Sequence, residues 1–126
     1  MNALIETKEK LISPYIDEKV MDEFKQFMGE EGGDMVKELK ELYLTNTPKL
    51  ISNIKKDIKA RDMDSLKTHV HGLKGSSAQL GVTGIASLSR DIEDVIPSGR
   101  FDEIEALFKH LLDVYKKVKI TFTNQL

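Results

Sequence analysis

The sequence predicts an all-α protein: an antiparallel up-down-up-down four-helix bundle with an additional N-terminal helix closing one end. Three observations carry that expectation. Apolar residues recur every three to four positions along most of the chain, sustained alternation of apolar and polar residues is missing, and short breaks built on glycine, proline and aspartate separate the periodic stretches. With 126 residues the chain has the length of one domain and can bury a core without disulfides or a structural metal. Residues 1–126 therefore read as a single unit, free of internal repeats, low-complexity tracts and linkers.

A short leading segment carries Leu4, Ile5, Leu11 and Ile12 and stops at Ser13-Pro14. Ile16, Val20, Phe24 and Phe27 then recur at helical spacing up to Gly29, with Met21 and Met28 at the edge of that stripe, either as core or as an adaptable contact surface. Gly32-Gly33-Asp34 breaks and restarts the chain. Met35, Leu39 and Leu42 mark the buried stripe of a long helix reaching toward Lys59, in which Pro48 is expected to cause a kink. After the connector Arg61-Asp62, Leu66, Val70, Leu73, Ser77 and Leu80 line one face of the next helix, and Gly81 offers its stop. Ile85, Leu88, Ile92, Val95 and Ile96 define a further helix ending at Pro97-Ser98-Gly99. The last helix repeats Ile104, Leu107, Phe108, Leu111, Tyr115, Val118 and Phe122. Connections of only a few residues make consecutive helices antiparallel neighbours.

Composition narrows the function. The chain has no cysteine, so disulfides, thiolate metal sites and thiol nucleophiles are excluded, which agrees with a reducing cytoplasm. Its formal net charge of -2 gives no bulk attraction to nucleic acid. Charged residues interrupt the N-terminus too early for a signal peptide, and no apolar run approaches a membrane span, so a cytoplasmic protein without membrane contact is expected. Charge runs such as Lys55-Lys56-Asp57 and Lys116-Lys117 read as solvated helix faces.

The stretch Thr68-His69-Val70-His71-Gly72-Leu73-Lys74-Gly75-Ser76-Ser77-Ala78-Gln79-Leu80-Gly81 breaks local rules. Gly72 and Gly75 stand inside a predicted helix, where each costs roughly 1 kcal/mol relative to alanine. Something other than helix stability favours them. With successive residues about 100° apart, His71 lies about 140° from the centre of the apolar stripe and faces outward. Lys67, Lys74, Gly75 and Ala78 share its strip at i−4, i+3, i+4 and i+7. An exposed imidazole thus has open space beside it and two cations flanking that space, which would accommodate and partly neutralise an anion attached to the ring. Imidazole suits reversible phosphoryl transfer because much of it is neutral near neutral pH, keeping a nucleophilic lone pair. Lys74 supplies a mobile point charge for phosphoryl oxygens, and Gly75 clears the approach of phosphate and partner.

The neighbouring residues receive plainer readings. Ser76 and Ser77 could donate hydrogen bonds, but Ser77 falls on the core stripe and is expected only to bond back to its own helix. His69 lies about 160° from His71 around the helix, which makes it a partly buried packing residue and rules out a His-x-His metal site. His110 has no cluster around it and reads as surface.

His71-Gly72-Leu73-Lys74-Gly75-Ser76-Ser77-Ala78, with the following Leu80-Gly81, resembles the signature of histidine phosphotransfer domains. The similarity extends over residues 16–120, through Glu30-Glu31-Gly32-Gly33 before the long helix and Ala60-Arg61-Asp62-Met63 before the histidine helix. The resemblance implies that His71 is the phosphorylated residue, Lys74 the phosphoryl-contacting lysine and Gly75 the glycine that clears the approach, with Lys67, Ser76 and Ala78 supporting. Related domains often carry a glutamine on the next helix that hydrogen-bonds the active imidazole, and counting puts Glu93 at that place.

The expected function is a phosphorelay intermediate that carries a phosphoryl group on His71 between the aspartates of receiver domains. Response-regulator receivers, a hybrid histidine kinase or both would be its partners, and the protein would act as a monomeric carrier instead of an enzyme. It needs no cofactor or metal of its own, since receivers of this resemblance bring their magnesium ion. No glycine-rich nucleotide loop or Walker-type run is present, so ATP chemistry has no site. The alternative is a helical scaffold or receiver-sequestering protein that keeps the bundle and carries no phosphate. A metal-dependent hydrolase would need convergent histidines and carboxylates that the sequence lacks.

Overall fold

A computed structural model describes residues 14–126, so the leading segment with Leu4, Ile5, Leu11, Ile12 and Ser13 lies outside the described residues. Five α-helices follow in order: α1 Glu18–Met28, α2 Gly32–Ala60, α3 Met63–Gln79, α4 Thr83–Val95 and α5 Phe101–Asn124. Short 3-10 turns occupy Gly29–Glu31 and Ile96–Ser98, and no strand occurs among the described residues. Helices α2 to α5 form the four-helix bundle, α2 packing on α3, α3 on α4, α4 on α5 and α5 back on α2. Among the described residues no helix is long and apolar enough to cross a membrane.

Local chemistry explains where the helices start and stop. Asp17 and Asp62 cap α1 and α3 by accepting from the N–H groups of Lys19 and Ser65, which satisfies donors that the first turn leaves free. The break before α2 falls at Gly29, which takes φ 69°, and Gly32 already begins α2 in helical geometry. A Cβ on Gly32 would lie 2.6 Å from the Lys25 carbonyl oxygen, so the missing side chain lets α1 press on the start of α2. Pro48 lies inside α2 and deprives the Leu44 carbonyl of its usual N–H donor.

The turn between α3 and α4 requires glycine for two reasons. Gly81 sits at φ 72°, and a Cβ there would come within 2.5 Å of the Asp17 carbonyl oxygen. The chain entering α1 is tied to this same turn: the Asp17 N–H donates to the Gly81 carbonyl at 2.7 Å, and the Gly84 N–H donates to the Tyr15 carbonyl at 3.0 Å.

Helices α3, α4 and α5 bury the faces that their spacing predicts, including Leu66, Val70, Leu73, Ser77 and Leu80 on α3; on α5 Leu107 is half-buried at the margin. Two expected stripes are displaced. On α2 the buried face runs through Val36, Lys40, Tyr43, Thr47 and Ile54, one position beyond Met35, Leu39 and Leu42, and Leu42 is left 55% exposed. Polar residues occupy part of the true face. Lys40 is buried with its Nζ donating to Gln125 Oε1 at 2.8 Å and lying over the Phe122 ring, and burial pulls its ammonium below the ordinary lysine value. On α1 Met21 is buried and Met28 half-buried, whereas Phe27 is 87% exposed because Met21 turns the packed face away from it.

Ser77 does more than bond back to its helix. Its Oγ pairs with the Tyr43 hydroxyl at 2.7 Å across α2 and α3, and burial pushes the Tyr43 phenol up to about 12. Asp57 is also no solvated surface charge: it is buried, while Lys55 and Lys56 beside it are exposed. Its Oδ2 lies 2.5 Å from His69 Nδ1 and its Oδ1 accepts from Ser65 Oγ at 2.8 Å, so a charge and a histidine fasten α2 to α3.

Candidate functional site

Packing of Leu66, Val70 and Leu73 into the core sets the rotation of α3, and that rotation turns position 71 outward. The His71 side chain is 70% exposed. Its Nδ1 lies 3.2 Å from Glu93 Oε1 on α4. A carboxylate only accepts, so Nδ1 carries the proton and donates it, and in the neutral ring the lone pair then sits on Nε2. Nε2 has no hydrogen-bond partner among the described residues.

Glu93 is largely sheltered, 18% exposed, and it has a second partner. Lys74 Nζ lies 3.1 Å from Glu93 Oε1 and 3.2 Å from Oε2. The exposed, mobile charge expected for Lys74 is thereby corrected: the side chain is 30% exposed because Glu93 draws its ammonium toward α4. His71, Lys74 and Glu93 form one cluster that joins α3 to α4.

The two glycines of α3 border open space. A Cβ added at Gly72 or at Gly75 would meet nothing within 4 Å, so neither glycine is needed for packing among the described residues. A shallow groove of about 450 Å³ runs beside the strip, walled by Lys74, Gly75 and Ala78 from α3 and by Ser87 and Arg90 from α4. Lys67 is exposed one turn before His71. The arrangement leaves a nucleophilic nitrogen accessible from solvent, with cations beside the approach and no bulk in its way.

Ser76 does not join this cluster. Its Oγ donates back to the Leu73 carbonyl at 3.2 Å, and its side chain lines a separate, apolar groove of about 650 Å³ between α1, α2 and α3. His69 is bound to Asp57 as described above, and His110 is exposed. Sequence reasoning missed Arg90 and the Lys74–Glu93 pairing. The signal for Arg90 was present: the counting across the α3–α4 turn that sets Glu93 opposite His71 also sets Arg90 opposite Lys74, three residues nearer the turn on each helix.

No curated protein matches the chain. The fold matches the crystal structure of histidine-containing phosphotransfer protein B (HptB) from Pseudomonas aeruginosa PAO1, with a TM-score of 0.79 and 19% sequence identity over 90% of this chain and 95% of that chain. At that identity the likeness concerns the fold. Residues 38–119 match the family described as Hpt domain, which is well over half of the sequence. The chain therefore belongs to the Hpt domain family.

Proposed function

We propose that His71 is the phosphoryl acceptor through which this protein performs the histidine phosphotransfer role of its family in phosphorelays. Nε2 takes the group from the aspartyl phosphate of one receiver domain and returns it to the aspartate of another. The observation that carries this reading is the exposed His71 ring, pinned through Nδ1 by Glu93 with Nε2 unpartnered among the described residues, on a helix whose Gly72 and Gly75 border open space. Hpt proteins are carriers, not kinases, and their partners are receiver domains and histidine kinases. We extend this to a monomeric cytoplasmic carrier, residues 1–126 acting as one unit, with the receiver supplying its own magnesium ion.

Incubation with phosphorylated receiver domains, followed by intact mass and an acid-lability test, is the direct experiment. One acid-labile phosphoryl group on His71 is expected, and none from ATP and magnesium alone. Failure of every competent receiver to label the protein would leave the bundle as an interaction module. Labelling of the purified protein by ATP would overturn the carrier assignment.

Lys74 and Arg90 support the same reading as cations beside the phosphoryl position. Lys74→Ala is expected to slow transfer or destabilise the phosphorylated form. Its pair with Glu93 is only partly sheltered, so the change in stability should stay within about 1 kcal/mol. Thermal unfolding and transfer rates on the same variant check both statements, and a larger loss of stability would make Lys74 a structural residue.

A further inference from the structure

The net charge of -2 hides a sharp division of charge along the chain. Residues 17–41 hold nine carboxylates against four cations, residues 42–48 hold no charge, and residues 49–74 hold seven cations against Asp57, Asp62 and Asp64. Two of those three acids are engaged, since Asp57 is buried against His69 and Asp62 caps α3. His71 stands on the basic side of this division. We propose that Lys49 and Lys56 on α2 select and orient the partner: they fit a receiver domain with carboxylates on the rim around its reacting aspartate, and they set that rim over α2. The inference rests on His71 as the acceptor for receivers.

Packing fixes where these lysines stand. With successive residues about 100° apart, Asp57 lies about 60° from the centre of the buried stripe of α2, on the side where it binds Ser65 and His69 of α3. Lys49 and Lys56 are exposed on that same side, at about 140° and 160°. Lys55 and Lys59 are exposed on the other side, toward α5, at about 100° and 140°. From Leu42 to Ala60 the only acid is the buried Asp57, so no carboxylate of this half of α2 offsets the exposed lysines. The Tyr43–Ser77 and Asp57–His69 contacts set α2 antiparallel to α3 with Lys49 about level with His71 and Lys56 two turns further along α2. Packed helix axes lie about 8–10 Å apart, and one side of a standard interface, about 800 Å², spans roughly 30 Å. A receiver that reaches Nε2 of His71 therefore also reaches both lysines.

The other flank of His71 carries the opposite sign. On α4, Asp91 and Asp94 are exposed, and Arg90 is the cation among them, while Glu93 is paired with Lys74. An acidic rim laid over α4 would meet like charge, whereas over α2 it meets cations, so the asymmetry fixes orientation as well as attraction. The carboxylates of residues 17–41 repel the same partner from the α1 end. Lysines this far from the reacting nitrogen act on encounter: they set how often a receiver docks and leave the transfer step within the docked pair unchanged.

Transfer to His71 is measured at rising concentrations of the phosphorylated receiver that labels the wild type fastest, at low and at physiological ionic strength. Lys49→Glu/Lys56→Glu should lower the rate at limiting receiver by about tenfold at low ionic strength and leave the saturating rate unchanged. The loss should shrink as salt screens the surface. Lys55→Glu/Lys59→Glu makes the same change in net charge on the α5 side and should lose no more than about twofold. Lys49→Gln/Lys56→Gln, which removes the charges without reversing them, should fall between wild type and the reversed pair. Unchanged melting curves are the control for folding, and the neutral pair keeps the test available if a reversed pair is unstable. Equal losses in the two reversed pairs would overturn the inference, because net charge alone would then account for them. A wild-type rate at limiting receiver for Lys49→Glu/Lys56→Glu, or a loss confined to the saturating rate, would overturn it too. Wild-type protein that no receiver labels at His71 would instead overturn the underlying assignment.

Discussion

His71→Gln should abolish phosphoryl uptake and leave stability unchanged, whereas His69→Gln should keep uptake and destabilise the fold. The two histidines are two residues apart on α3, yet the helix sends them to opposite environments. His71 stands in solvent with an open Nε2, and glutamine offers no nucleophile in its place. Its removal breaks only a contact at the surface, so the change in unfolding free energy should stay within about 0.5 kcal/mol. His69 is bound to the buried carboxylate of Asp57. Glutamine there leaves Asp57 with Ser65 as its side-chain partner, and a buried acceptor that loses a donor costs about 1–3 kcal/mol. Chemical denaturation and receiver-to-protein transfer, measured on both variants, read the two effects separately. Phosphate found on His69 would contradict the geometry of α3.

At Gly75 folding and transfer should pull in opposite directions. Gly75 lies within α3, its φ is not positive, and a Cβ there meets nothing within 4 Å. Gly75→Ala should therefore stabilise the protein by about 0.4–1 kcal/mol. Gly75→Gln should also leave the bundle folded, but its side chain projects into the strip beside the His71 ring and the groove walled by Lys74 and Arg90. A receiver that must bring its aspartate to Nε2 then meets bulk one turn from the reacting atom, and a displacement of about 1 Å is enough to cost on the order of a hundredfold in rate. Thermal unfolding supplies one axis and the rate of receiver-to-His71 transfer the other. A Gly75→Gln protein that is folded and transfers at the wild-type rate would show that the cleared approach is not needed.

Helix α3 was readable from sequence because its inward positions, Leu66, Val70, Leu73, Ser77 and Leu80, are apolar or small, so the pattern and the packing agree. Helix α2 was not, because Lys40, Thr47 and Asp57 interrupt its buried face. Each is hidden from an apolar count, and for two of them the reason they tolerate burial lies elsewhere in the chain: Gln125 for Lys40, Ser65 and His69 for Asp57. The site divides in the same way. Exposure of His71 and the small residues beside it follow from the angular position of each residue on one helix. The shared carboxylate of Glu93 depends on the register of two helices, and only packing brings Lys74 to it.

That register has a pivot at Gly81, where backbone hydrogen bonds from the residues entering α1 hold the turn. Glu93 stands twelve residues along α4 from that pivot. The distance is about 18 Å at the helical rise, so α4 works as a lever: a tilt of about 5° at the turn would move the carboxylate by roughly 1.5 Å. A displacement of that size is comparable to half the His71–Glu93 separation of 3.2 Å. The alignment of a proton at the middle of the bundle is thus governed at its end, by two main-chain bonds on Gly81 and Gly84, residues that bear no side chain.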